Sequence, residues 1–322
     1  MTMPTEHCPY RMQVHHICQE TPDVWTLALI CHDFYPYKAG QHALVSIRNS
    51  PDTLRAYTLS STPGVSEYIT LTVRRIDGGA GSRWLTHDVK RGDYIWLSAA
   101  EGDFTCENHP ADKYLLLAAG SGVTPIISMR RWLAKNRPQA EVHVFFSVRS
   151  PNDVIFADEW RHYPATMIAE QGQVQGFIPG RLTPALLETI TDIADYTVMT
   201  CGPAPYMDFV ERTVRDLGVT RFYREQFFVP KAQTTGQNLT FRKLQPAQEF
   251  HAPVGMTLLD AMESHKVPVT AACRAGVCGC CKTRVVSGNY TTTSTMTLTE
   301  QEIADGYVLA CSCHPTSDLV LA

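Results

Sequence analysis

The run Cys273-Arg274-Ala275-Gly276-Val277-Cys278-Gly279-Cys280-Cys281, followed at a distance by Cys311, sets four of the chain's eleven cysteines in the order C-x4-C-x2-C…C. That spacing is the plant-type [2Fe–2S] pattern. Two irons bridged by two sulfides need four thiolates around a small object, so three must come from one tightly wrapped loop. Gly276 and Gly279 let the loop bend where a β-carbon would forbid it and aim backbone N–H groups at electron-rich sulfur. Tyr307-Val308-Leu309-Ala310-Cys311 reads as a buried strand that carries in the fourth ligand. Cys273, Cys278, Cys281 and Cys311 are therefore the expected metal ligands, and Cys280 is expected to point away from them.

Zinc is the alternative. Cys278-x2-Cys281 with Cys311-x2-His314 also scans as a zinc site, although it leaves Cys273 and the two glycines without a role. A Rieske centre would need a Cys-x-His pair, which the chain lacks. An iron–sulfur centre needs a source of electrons, and the rest of the chain has the features of one.

The 322 residues are enough for two or three domains, each with its own core. A net charge of −4 with no basic stripe argues against nucleic acid, and no apolar run reaches the length of a membrane span. Eleven cysteines without a secretion signal fit a reducing cytoplasm.

Residues 1–108 alternate in short strands (11–18, 25–31, 42–48, 68–75 and 94–98), the pattern of a small antiparallel barrel. Within it, Arg55-Ala56-Tyr57-Thr58-Leu59-Ser60-Ser61 sets Arg55, Tyr57 and Leu59 on one side with hydroxyls around them. An arginine forks onto phosphate, a tyrosine lies flat on a ring system, and a threonine bonds a ring nitrogen. Next, Val73-Arg74-Arg75 leads into Gly78-Gly79-Ala80-Gly81-Ser82 and a helix start expected at Ser82. Such a turn offers free N–H groups and a positive dipole end to a pyrophosphate.

From residue 109 the period changes. Tyr114–Ala119 is a continuous apolar run, a strand buried on both faces. It ends in Gly120-Ser121-Gly122-Val123-Thr124-Pro125 and a helix, and the strand–helix alternation continues to about residue 229. This is the pattern of a doubly wound parallel α/β domain, with ligands at the carboxyl ends of its strands. Proline is tolerated in the first helical turn because its missing N–H had no helical partner. Residues 230–238 read as a linker. Residues 239–322 read as a compact α+β domain with a hairpin at 239–251, helices at 257–265 and 299–304, and strands at 282–286 and 318–321.

Arg-x-Tyr-Thr-x-x-Ser followed by a Gly-Ser turn resembles the flavin domain of the ferredoxin–NADP reductase superfamily. The resemblance implies FAD, with Arg55 on its phosphates, Tyr57 against the isoalloxazine and Thr58 facing the flavin N5. It places Ser60, Val73, Arg74, Gly81 and Ser82 along the same cofactor. It makes Gly120, Gly122, Thr124 and Pro125 the nicotinamide-dinucleotide loop, brings Cys201-Gly202-Pro203 to the nicotinamide, and sets Glu225 and Phe227 beside the flavin. Thr58, Cys201 and Glu225 are thereby the expected catalytic residues. Arg149 has no second base nearby and is followed by Asp153, which favours NADH over NADPH. The last domain is similar to a β-grasp ferredoxin. Reductases with this domain order pass electrons from NADH through FAD and a [2Fe–2S] cluster to a partner redox protein. The wording of the cysteine loop, with Tyr-Val-Leu-Ala-Cys-Ser-Cys-His-Pro, most resembles the reductases of hybrid-cluster proteins, which act on nitrogen oxides. The reductase component of a Rieske-type oxygenase and a zinc-stabilised binding module are the alternatives.

Overall fold

The computed structural model describes residues 3–51, 53–227 and 236–322. Its contacts divide the chain into two compact units, one of residues 1–50 and 57–227 and the other of 51–56 and 228–322.

The first sheet comprises β1 (Tyr10–Thr21), β2 (Val24–Cys31), β3 (His42–Ser46), β4 (Leu54–Thr58), β5 (Ile69–Arg74) and β6 (Tyr94–Leu97), in the order β4-β3-β6-β1-β2-β5. It curls into a barrel where Leu59 bridges Leu71 and the Ser60 N–H donates to Thr70 O at 2.9 Å. Leu27, Leu29, Leu71 and Leu97 fill the inside, each worth about 1.5–3 kcal/mol of burial. The third strand ends at Ser46 rather than Arg48, because Ile47–Asn49 forms a 3-10 turn. Similarly, β4 stops at Thr58, so its alternation does not reach Leu59, which is fully buried in the barrel core.

The glycine-rich turn after β5 opens helix α1 (Ala80–Arg83) and then a π-turn, Trp84–Asp88. The helix begins at Ala80, two residues before the expected Ser82, because Gly79 takes the extended N-cap position. Ser82 instead turns its hydroxyl back, accepting from the Ile76 N–H at 3.1 Å.

The second sheet is wholly parallel: β7 (Lys113–Ala119), β8 (Glu141–Val148), β9 (Thr166–Ala169), β10 (Phe177–Pro179), β11 (Thr197–Cys201) and β12 (Phe222–Glu225), in the order β10-β9-β8-β7-β11-β12. Alternate residues of β7 serve opposite layers. Tyr114, Leu116 and Ala118 pack with Ile126, Ile127 and Met129 of α2 (Val123–Asn136). On the other face, Leu115 and Leu117 pack in a cluster with Leu187 of α3 (Pro184–Leu187) and Val210 and Val214 of α4 (Ala204–Asp216). The strand order reverses at β7, which opens the ligand crevice expected at the carboxyl ends of β7 and β11. Arg131 of α2 fastens this layer to the barrel. Its Nη1 donates to Ser60 O at 2.6 Å, and its Nε and Nη2 clasp Glu159 at 2.6 and 2.5 Å.

The second unit contains β13 (Asn238–Leu244), β14 (Ala247–Pro253), α5 (Leu258–Ser264), β15 (Lys282–Ser287), β16 (Tyr290–Thr292), α6 (Glu300–Ala304), β17 (Tyr307–Leu309), β18 (Cys313–Pro315) and β19 (Leu319–Leu321). Five strands form a mixed sheet ordered β14-β13-β19-β15-β17, and β16 pairs with β18. Thr257 caps α5, its side chain accepting from the Asp260 N–H at 3.1 Å, and Leu258, Leu259 and Met262 turn inward as their spacing predicts. Residues 230–235 of the expected linker lie outside the described residues, and Asn238, also assigned to it, already belongs to β13. Cys311 does not end a strand. The strand stops at Leu309 and Cys311 sits on a 3-10 turn, Ala310–Ser312, fixed by Ala310 N–H to Cys281 O at 3.0 Å and Ser312 Oγ to Ser294 O at 2.9 Å.

Candidate functional site: a buried polar crevice and a four-thiol loop

In the first unit, the glycine loop after β7 and the end of β11 are in direct backbone contact. A β-carbon on Gly122 would stand 2.2 Å from Cys201 O, so only glycine allows the approach. Thr124 Oγ1 donates to Ser121 O at 3.1 Å, and Pro125 lies buried in the first turn of α2. The first turn of this fourteen-residue helix has no side-chain cap, and the helix dipole there favours an anionic group. Gly202 packs against Ala119 and Tyr206, and Pro203 caps α4.

Cys201 is fully buried, and burial, with the Glu225 carboxylate second, pushes its thiol well above its usual range. It stays a neutral thiol. Cys201 pairs in register with Glu225 on the neighbouring strand. The Glu225 carboxylate reaches back to His42 of the barrel, with Oε1 at 3.4 Å from Nδ1, while Oε2 has no hydrogen-bond partner among the described residues. Thr58 Oγ1 and Thr200 Oγ1 are buried and equally unpartnered. An unmet buried hydroxyl costs about 1–3 kcal/mol, so each of these groups calls for a polar partner that the described residues do not supply. Phe227 packs partly buried against the same core.

The other expected residues are placed as follows. Tyr57 packs half-buried on the barrel core. Ser60 spends its hydroxyl on Thr70 Oγ1 at 2.7 Å and Thr72 Oγ1 at 2.8 Å. Val73 is inside the barrel, and Arg74 pairs through Nε with Asp23 at 3.2 Å while its Nη1 lies against Gly120. Gly81 and Ser82 are buried in α1. Arg149 is exposed after β8, with the Ser150–Asp153 capping box beside it. Arg55, within the second unit, donates from Nη1 to Leu54 O at 2.7 Å and Ala272 O at 3.0 Å. Sequence reasoning missed His42. Its signal was a histidine opening a strand, HALVS, in which every residue is buried.

In the second unit, the four expected thiols stand in two pairs. Cys281 and Cys311 have their Sγ atoms 3.4 Å apart, and the Cys311 thiol brings Cys281 down to about 7. The Cys273 thiol likewise lowers Cys278, and in each pair the other thiol is raised, first by its partner and then by burial. Gly276, at φ +73°, donates its N–H to Cys311 Sγ at 3.2 Å, and Ala275 N–H donates to Cys273 Sγ at 3.4 Å. A β-carbon on Gly276 would stand 2.6 Å from Cβ of Ser294, so the loop closes only with glycine there. Two thiol pairs with N–H donors suit two irons. Cys280 turns toward Cys278 O at 3.8 Å, and Cys313 is buried in the unit's core.

Three family models match in chain order: an oxidoreductase FAD-binding domain over 15–106, an oxidoreductase NAD-binding domain over 116–212, and a 2Fe-2S iron–sulfur cluster binding domain over 242–316. The chain is 72% identical over 322 residues, all of both chains, to NADH oxidoreductase HCR of Escherichia coli strain K12. It is 27% identical to the glycine betaine monooxygenase reductase subunit of Chromohalobacter salexigens, over 95% of this chain and 93% of that one. Among solved structures, phthalate dioxygenase reductase shares the fold, with a TM-score of 0.68, 23% identity and coverage of 97% and 98%. A flavin barrel, a nicotinamide sheet and a [2Fe–2S] loop thus follow one another along a single polypeptide. The chain belongs to the NADH oxidoreductase HCR family of FAD- and [2Fe–2S]-dependent reductases.

Proposed function

We propose that this NADH-dependent reductase delivers its electrons to a hybrid-cluster protein and so supports reduction of nitrogen oxides in the cytoplasm. The observation that carries this reading is the 72% identity over the whole of both chains to NADH oxidoreductase HCR, whose name suggests that partner. The eleven cysteines, all free thiols, accord with a reducing compartment. No helix among the described residues is long and apolar enough to cross a membrane.

When bound, the flavin takes electrons as a pair and releases them one at a time, and the cluster accepts them singly. The chain's own residues do the placing. We assign the α2 amino terminus with Gly120 and Gly122 to the dinucleotide pyrophosphate, and Thr58 Oγ1 to a ring nitrogen of the flavin. Tyr57, Ser60, Val73, Arg74, Gly81 and Ser82 are assigned to the flavin, as the resemblance implies, and Arg55 to its phosphates. Cys201, kept neutral by burial, gives the nicotinamide an uncharged wall. Glu225 offers a carboxyl group beside Cys201, through the oxygen that His42 does not face. Cys273, Cys278, Cys281 and Cys311 hold the irons. In this assignment the flavin part runs over 1–108, the nicotinamide part over 109–229 and the iron–sulfur part from 239.

The second reading, a reductase component of an oxygenase, draws on the likeness to the glycine betaine monooxygenase reductase subunit. Anaerobic mixing of the holoprotein and NADH with purified hybrid-cluster protein, or with a Rieske oxygenase component, separates the two. Rapid reduction of hybrid-cluster protein alone is expected. Rapid reduction of the oxygenase component alone would refute the proposal.

A further inference from the structure

Glu225 owes its orientation to a residue on another sheet. His42 opens β3 in the barrel, whereas Glu225 ends β12 in the parallel sheet. The two side chains meet with Nδ1 at 3.4 Å from Oε1, at 5% and 7% residue exposure. His42 is held at its backbone and met at one ring edge. Its backbone exchanges hydrogen bonds with Glu101, His42 N–H to Glu101 O at 3.0 Å and Glu101 N–H to His42 O at 2.8 Å. Gly102 lies flush on the ring edge, where a β-carbon would stand 3.0 Å from Nδ1 and 3.2 Å from Cε1. The Nδ1 edge of the ring faces the carboxylate. With one oxygen so held, Glu225 is left with a single free acceptor, Oε2, which no described residue meets.

We infer that His42 is a positioning residue for the reaction with NADH: it fixes the Glu225 carboxylate so that Oε2 faces the crevice beside Cys201. The inference rests on the role proposed above for Glu225. A carboxylate without this partner would rotate about its terminal torsion, a broad two-fold well, and present its charge in several directions. Binding of NADH through its pyrophosphate, at the other end of the crevice, would be unaffected.

Asparagine and leucine have nearly one shape, but only asparagine places an N–H donor where Nδ1 stands. In the full-length holoprotein, His42→Leu is expected to lower kcat for NADH-driven ferricyanide reduction by about tenfold (about 1.4 kcal/mol), because the contact that aims the carboxylate is gone. KM for NADH should stay within about twofold, because the interaction lost acts after binding. His42→Asn should recover most of kcat, with flavin and iron per chain unchanged in both variants. Equal loss in the Asn and Leu variants, or no loss in either, would overturn the inference. Glu225→Gln serves as the reference. A drop in its kcat with an unaffected His42→Leu sinks the role of His42 alone, and an unaffected Glu225→Gln removes the role of Glu225 and this inference with it. Should the Leu variant lose flavin, the Asn variant decides: a tenfold fall in its kcat with full flavin content refutes the inference, and near-wild-type kcat supports it.

Discussion

Replacing Gly122 by alanine tests whether the nicotinamide loop must touch the end of β11. The added β-carbon would stand 2.2 Å from Cys201 O, 2.4 Å from Cys201 C and 2.7 Å from Gly202 N. All three are backbone atoms of a strand end, so no side chain can swing aside. Restoring ordinary contact requires the loop and the strand to part by about 1.2 Å. Overpacking of this kind costs about 1–3 kcal/mol, which lowers Tm by roughly 2–10 °C in a unit of this size. A misplacement of about 1 Å costs up to about a hundredfold in rate. Stopped-flow reduction of the flavin by NADH should therefore slow by between tenfold and a hundredfold, with the flavin and iron contents unchanged. Gly236, where a β-carbon meets nothing within 4 Å, is the control, and Gly236→Ala should leave the rate alone. Wild-type rate and Tm in Gly122→Ala would refute the argument that close approach of loop and strand builds the crevice.

Cys280→Thr should keep two irons per chain and an unchanged visible spectrum, whereas Cys278→Ser should lose or badly destabilise the cluster; iron loss in the first with retention in Cys281→Ser would reverse the ligand assignment. Cys313→Ala should also keep its irons, but at a stability cost of about 1 kcal/mol that Cys280→Thr escapes, because Cys313 is fully buried and Cys280 is not. NADH should exceed NADPH in kcat/KM by at least about tenfold, since Arg149 lacks a second base and Asp153 is held beside it by Ser150; equal use of NADPH would contradict this. A chain ending at Pro230 should keep its flavin and its NADH–ferricyanide activity while losing delivery to a protein acceptor, and undiminished delivery would take the iron–sulfur part off the path.

The elements legible in the sequence were those whose signal is local. Tyr114–Ala119 reads as a doubly buried strand because neighbouring residues serve opposite layers, which no exposed strand tolerates. The thiol loop reads as an iron–sulfur site because its spacing and its glycines are fixed by the size of the cluster. Three-residue strands such as β10, β16 and β18 carry too few positions to show alternation, and β12 gains its place only by pairing with β11. The apolar run before Cys311 looks like one strand, yet the chain turns at Ala310 to meet Cys281 O, a partner 29 residues back. His42 was hidden for the same reason. A lone histidine in an apolar strand gives no sign of a carboxylate 183 residues further along the chain.

The most direct test of the electron path is a spectroscopic one. NADH is added anaerobically to the purified holoprotein, the flavin band is followed in the visible spectrum, and the reduced [2Fe–2S] centre is followed by electron paramagnetic resonance. Bleaching of the flavin together with a reduced-cluster signal, the latter absent from Cys278→Ser, is expected. Bleaching of the flavin in wild-type protein with no cluster signal would contradict an electron path that runs from NADH to the four-thiol loop.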